Sequence, residues 1–207
     1  MKWVSVCALV FMLIVGCTAD VGNTTAKGGR EMLKGKKILM LIAQEDFRDE
    51  ELLVPKEIFT NEGATVVVAS VDTTEAVGML GTKVKPDIAL KDVSADDYDA
   101  IVFVGGRGCI GYWDHSLAHR LALNAYVKNK VIGAICFAPV ILANAGVLQG
   151  KKATVFRTGS SLDAFERNGV TYCEEGVVVE GNMVTARGPE VAKEFALALV
   201  NILSKGQ

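Results

Sequence analysis

The chain has 207 residues, 50% of them hydrophobic and 22% charged, with a net charge of −2. That suits one domain with a substantial core plus an extension, and it lacks the clustered basic face of a nucleic-acid binder. Two histidines and no CxxC pair argue against a metal site, so neither metal nor cofactor is expected.

Residues 1–16 read as a targeting segment, with Lys2 ahead of an apolar run from Trp3 to Val15. The run is shorter than the roughly 20 residues that span a bilayer and matches the core of a signal peptide. Leu13-Ile14-Val15-Gly16-Cys17 resembles the lipobox of bacterial lipoprotein precursors. That resemblance implies cleavage before Cys17 and a diacylglyceryl thioether on its sulfur. The protein would then sit on a membrane surface of the cell envelope, outside the cytoplasm. An ordinary secretory signal, giving a secreted or periplasmic protein, and an uncleaved anchor are the alternatives. Residues 17–35 contain Gly22, Asn23, Gly28 and Gly29 without an apolar period, and read as a flexible tether.

From residue 36 to 205 strand and helix patterns alternate in what reads as one domain. Residues 37–42 form a continuous apolar run of the buried-strand type. Residues 49–53 read as a lead-in turn to a helix over 54–61, with Pro55 in its first turn. Strands follow at 65–70 and 99–104, with short twisted strands between 77 and 93. Helices are expected at 117–128, 161–168 and 190–203, a strand at 153–156, and a hairpin of 176–180 with 182–186. Such alternation implies an α/β fold, a mainly parallel sheet covered by helices on both faces.

The stretch from Val131 to Ala145 begins as an apolar strand and continues as an apolar helix, with Cys136 between them. Ala134 and Ala138 flank the cysteine at both second neighbours, the small-x-nucleophile-x-small pattern of a nucleophile elbow with Cys in place of Ser. A helix N-terminus behind Cys136 is expected to lower its pKa and raise its reactivity. Ligands of such sheets gather at the carboxyl ends of the strands. Glu51, Gly105-Gly106 and Cys136 should all lie on that edge. The amides of Gly106 and Phe137 are candidate oxyanion donors, and Glu51 a carboxyl that holds or moves a proton beside the thiol. His115 is a possible further catalytic group, whereas His119 reads as solvated. Cys109 reads as a spectator rather than a resolving thiol, and Cys173 as packing near the sheet edge.

These residues resemble the DJ-1/PfpI family of the glutamine amidotransferase-like superfamily. The resemblance is carried by Glu51 four residues before Pro55, Phe103-Val104-Gly105-Gly106, Ala134-Ile135-Cys136 with Pro139, Leu148 to Thr154, and Thr185-Ala186-Arg187-Gly188-Pro189. It implies a flavodoxin-like, doubly wound α/β sandwich, Cys136 as nucleophile, Glu51 as its partner, and a homodimer or higher homo-oligomer. Two family histidines are missing. Phe137 stands where the peptidases place one directly after the cysteine, and Phe156 where others carry one in the following strand region.

The expected function is a cysteine-dependent hydrolase or lyase acting on a small carbonyl or amide compound in stress defence. A non-enzymatic sensor based on oxidation of Cys136 is the alternative. A PfpI-like peptidase is disfavoured by Phe137, and a module that merely keeps the fold is the remaining possibility.

Overall fold

A computed structural model describes residue 1 and residues 31–206. The targeting segment, Cys7, Cys17 and most of the tether lie outside the described residues. The last five tether residues already pack on the domain. Leu33 is fully buried, and its amide donates to the Glu62 carbonyl at 2.8 Å.

In chain order the elements begin with β1 (Lys37–Leu41), β2 (Glu45–Phe47), α1 (Asp49–Asn61), β3 (Thr65–Ser70), β4 (Ala76–Gly78), β5 (Lys83–Val84), β6 (Ile88–Ala89) and β7 (Ala100–Phe103). They continue with α2 (Ser116–Val127), β8 (Val131–Ile135), α3 (Pro139–Asn144), β9 (Lys152–Ala153), α4 (Gly159–Arg167), β10 (Thr171–Tyr172), β11 (Val177–Glu180), β12 (Met183–Ala186) and α5 (Ala192–Ser204). The central sheet runs β11-β12-β8-β7-β1-β3-β6. Every neighbouring pair is parallel except β11 with β12, the edge hairpin. The middle strands β1, β7 and β8 are apolar along almost their whole length because helices cover both faces. On one side α5 packs on α1, β8 and β12, and on the other α2 packs on α3, β7 and β8. A Cβ on Gly133 of β8 would come within 2.8 Å of Phe195 and 2.9 Å of Leu199, so α5 lies directly on that strand. Among the described residues, no helix is long and apolar enough to cross a membrane.

Two expectations need correction. Residues 49–53 are helix, not a lead-in turn: α1 begins at Asp49, and its acid-rich first turn of Asp49, Glu50 and Glu51 suits the positive end of a helix. Pro55 therefore lies inside α1, where its missing N–H leaves the Glu51 carbonyl without the usual bond from four residues on. The strand expected at 153–156 is only Lys152–Ala153, paired with β10 in a separate two-stranded sheet. Beyond it the backbone leaves that ladder. The Thr154 amide donates to Thr185 Oγ1 at 3.0 Å, and the Phe156 amide donates to the Cys136 carbonyl at 2.8 Å.

Candidate active site

Cys136 sits between β8 and α3 with φ +62°, a left-handed backbone that costs a non-glycine residue about 1–2 kcal/mol. Main-chain bonds hold it there. Its N–H donates to the Ala186 carbonyl at 2.8 Å, extending the β8–β12 ladder, and its carbonyl accepts from Phe156 N–H. Ala134 and Ala138 are fully buried on either side, which accounts for the small flanking residues. The side chain of Cys136 is only 6% exposed.

Glu51, fully buried in the first turn of α1, brings its carboxyl to this cysteine. Oε2 accepts the Gly105 amide at 3.0 Å. Oε1 is buried and has no partner of good hydrogen-bond geometry, while the Cys136 side chain interacts with the carboxyl. Burial pushes Glu51 up to about 8, against the opposing pull of Cys136, the Gly105 amide and Arg48. Glu51 therefore keeps its proton at neutral pH, and an O–H on the otherwise unpartnered oxygen can donate to the sulfur.

The thiol departs from expectation. Burial, and then the charge of Glu51 when ionised, push Cys136 up to about 12, with the Gly106 and Phe137 amides pulling it down. The helix behind it, Pro139–Asn144, spans six residues and supplies too little dipole to offset its burial. Cysteine and glutamate titrate as a pair. Once Glu51 holds the proton, its repulsion is gone and the carboxyl becomes a donor, so negative charge that develops on the sulfur during reaction faces a neutral partner and two amides.

The Gly-Gly turn after β7 is a packing joint. A Cβ on Gly105 would lie 2.6 Å from both Glu51 Oε2 and Cys136 Cβ, so only glycine lets these two meet. Gly106, at φ +99°, lies against the backbone of Asp46 to Arg48 and forms a bridge with Phe47. Arg48 borders the cleft into which Cys136 opens, and forks onto Glu50 through Nε at 2.7 Å and Nη2 at 2.9 Å. The roles of Gly105 and Arg48 escape sequence reading. The Gly-Gly pair was the available signal for the first, and nothing local marks the second.

Cys136 opens into a cleft of about 360 Å³ whose border includes Arg48, Met79, Gly106, Ile110, Phe137 and Phe156. His115 is not among its lining residues. It is the residue ahead of α2, edge-on to Tyr112 at 5.6 Å, in a different cavity of about 300 Å³. His119 donates through Nε2 to the Trp113 carbonyl at 2.7 Å. Cys109 is fully buried and its thiol is pushed well above the ordinary value, by burial first. Cys173 is partly exposed and free.

Comparison with known proteins shows the family of the chain. The DJ-1/PfpI family model matches residues 36–202. An uncharacterised protein of Methanocaldococcus jannaschii is 41% identical over 95% of this chain and 96% of its own length. A glutathione-independent glyoxalase of Caenorhabditis elegans is 30% identical, over 83% of this chain and 91% of its own. The PfpI deglycase of Pyrococcus furiosus is 36% identical, over 74% and 90%. Among solved structures, a ThiJ/PfpI domain protein of Brachyspira murdochii superposes with a TM-score of 0.80 at 34% identity, covering 84% of this chain and 99% of that one. An elbow cysteine facing a buried glutamate across a Gly-Gly turn, in a chain matched over nearly its whole described length, places this protein in the DJ-1/PfpI family.

Proposed function

We propose that the protein is a cysteine-dependent hydrolase or lyase of the glyoxalase or deglycase kind, acting on small carbonyl compounds. The observation that carries this reading is the pairing of Cys136, which lines the cleft, with the buried Glu51 beside it, whose carboxyl is held near 8. A carboxyl poised near working pH is suited to both giving and taking a proton. Similarity to relatives named for glyoxalase and deglycase activity supports the substrate class.

For a 2-oxoaldehyde the steps balance as follows. The Cys136 S–H adds across the aldehyde, the sulfur to carbon and a proton to oxygen through Glu51, giving a hemithioacetal. The Gly106 and Phe137 amides stabilise the developing oxyanion. Glu51 then carries the proton from the former aldehyde carbon to its neighbour through an enediol, leaving a thioester. Water cleaves the thioester, releasing a 2-hydroxy acid and the thiol. Conversion of methylglyoxal to lactate should fall at least about a thousandfold in Cys136→Ser, and about a hundredfold in Glu51→Gln. Wild-type protein inert toward glyoxal, methylglyoxal and their adducts would overturn the proposal.

A second reading rests on the sulfur's surroundings. Two amides and a carboxyl meet Cys136 and would also hold the oxygens of a sulfinate, as an oxidation sensor requires. Intact mass after mild peroxide should then show oxygen added at Cys136 and not at Cys109 or Cys173. The peptidase reading has no support from a cleft histidine, since Phe137 follows the cysteine.

Lipid attachment at Cys17 and a place in the cell envelope remain part of the proposal on sequence grounds, as does a homodimer. Metabolic labelling with a fatty acid, lost in Cys17→Ala, tests the first, and light scattering tests the second.

A further inference from the structure

The geometry points to a specific occupant of the cleft: a neutral carbonyl compound bearing an aromatic or branched apolar substituent. This rests on the carbonyl chemistry proposed above and adds the part of the substrate that does not react.

Size is the first observation. At roughly 30 Å³ per heavy atom, the share of a water in the liquid, a cleft of about 360 Å³ holds about twelve heavy atoms. A three-carbon dicarbonyl fills less than half of it. The excess room is walled by carbon. Phe156 is 44% exposed, Ile110 43% and Met79 36%, and all three border the cleft. Large apolar side chains left this open around a nucleophile mark a site that removes apolar surface from water.

The wall is braced from behind. Phe156 and Phe137 meet edge to face at 5.1 Å, and Phe137 meets Trp113 in the same way at 6.0 Å. The Trp113 indole N–H holds the Phe137 carbonyl at 3.0 Å. The Trp113 carbonyl in turn accepts from His119 Nε2 at 2.7 Å and Asn144 Nδ2 at 2.9 Å. Phe156 is tied to the elbow itself through its amide on the Cys136 carbonyl. The rings are therefore set at a fixed distance from the sulfur, an arrangement suited to an offset or edge-on aromatic partner.

Charge is the third observation. The two arginines at the rim already have carboxylates: Arg48 on Glu50, and Arg107 on Asp46 at 3.2 Å. An anionic keto acid would find both positive charges already offset by carboxylates, whereas a neutral carbonyl needs no counter-charge.

Two readouts test this. The first needs no turnover. Acetophenone and acetone are compared for protection of Cys136 against iodoacetamide, followed by peptide mass. Acetophenone should half-protect at a concentration at least about tenfold lower. Phe156→Ala should close most of that gap, and Phe156→Leu, which preserves an apolar wall, should keep part of it. Cooperative thermal melts check that both variants fold. Equal protection by the two ketones in wild type, or an unchanged gap in Phe156→Ala, overturns the inference. The second readout is kcat/KM for phenylglyoxal against methylglyoxal, expected to favour phenylglyoxal by about tenfold or more. Selective protection without turnover of either aldehyde supports the apolar subsite and sinks the reaction proposed above. Equal turnover of both without selective protection does the reverse.

Discussion

Asp49 and Glu51 are two carboxyls in one helical turn, 3% and 0% exposed, and they hold opposite charge states. Asp49 accepts the Leu80 amide at 2.8 Å and the Thr82 amide at 2.9 Å, one on each oxygen. Burial alone would raise it, but those donors win and keep it below its ordinary value of 3.8. Glu51 has one amide, one oxygen without a geometrically good partner, and a thiol. There burial wins and lifts it to about 8. Burial therefore does not decide whether a carboxyl is charged; the donors facing it do. The first acid is a tie, fastening α1 to the β4–β5 hairpin. The second is left short of donors at the one place where a mobile proton is useful.

The largest expected effect breaks the Glu51 half of this contrast. Its folded value of about 8 exceeds the ordinary 4.5, so the folded state holds a proton that the unfolded chain has lost. Its contribution is complete below 4.5 and disappears as pH rises through about 8. At about 1.4 kcal/mol for each pH unit between, the ceiling is about 5 kcal/mol. Urea midpoints between pH 5 and 8.5 should fall in wild type and stay much flatter in Glu51→Gln. Equal slopes would show that Glu51 is ionised in the fold.

Gly105→Ala attacks the joint between Glu51 and Cys136. Its methyl has no room against either side chain and should cost about 2–3 kcal/mol. Gly159→Ala, whose Cβ would meet nothing within 4 Å, is the matched control, and similar midpoints for the two would refute the tight contact.

Asp49→Asn should cost about 1–2 kcal/mol at neutral pH, because a charged acceptor of two amides is lost. The sign is opposite to that of Glu51. This stability is present above the ordinary value of 3.8 and is lost as pH falls below it. The difference between wild type and variant should therefore shrink toward pH 3; a constant gap would mean the carboxylate charge is not what binds the hairpin.

The smallest effect is the most specific. The rate of Cys136 alkylation against pH should carry an inflection near 8 from Glu51. It should vanish in Glu51→Gln and persist in Asp49→Asn. An inflection that survives Glu51→Gln belongs to another group.

The elbow and the Gly-Gly turn were legible because each is a short pattern with a local cause, small neighbours and paired glycines, whereas Glu51, locally no more than an acid suited to a helix start, was legible only through the family resemblance. The parallel sheet was legible from buried runs such as Leu39 to Leu41. The start of α1 was not, because Asp49-Glu50-Glu51 has no apolar period and Pro55 drew the boundary toward itself. The thiol's environment is hidden from the sequence for a different reason. A helix N-terminus is visible locally, whereas burial comes from Glu51 and Gly105, which lie far away in the chain. His115 sits few residues beyond the Gly-Gly turn, but a 3-10 turn over Arg107–Tyr112 intervenes, and spacing does not say which side of such a turn a ring will face. Phe156, twenty residues past the cysteine, carried no sign that its amide would meet the Cys136 carbonyl.

That last contact separates two things evolution usually has to change together. The elbow is held by the main chain of residue 156, and the cleft wall is made by its side chain. Any residue but proline supplies the same N–H. The position can therefore be recut, from ring to aliphatic chain to imidazole, while the cysteine stays where it is. One scaffold can thus sample substrates at the cost of a codon, without rebuilding its nucleophile.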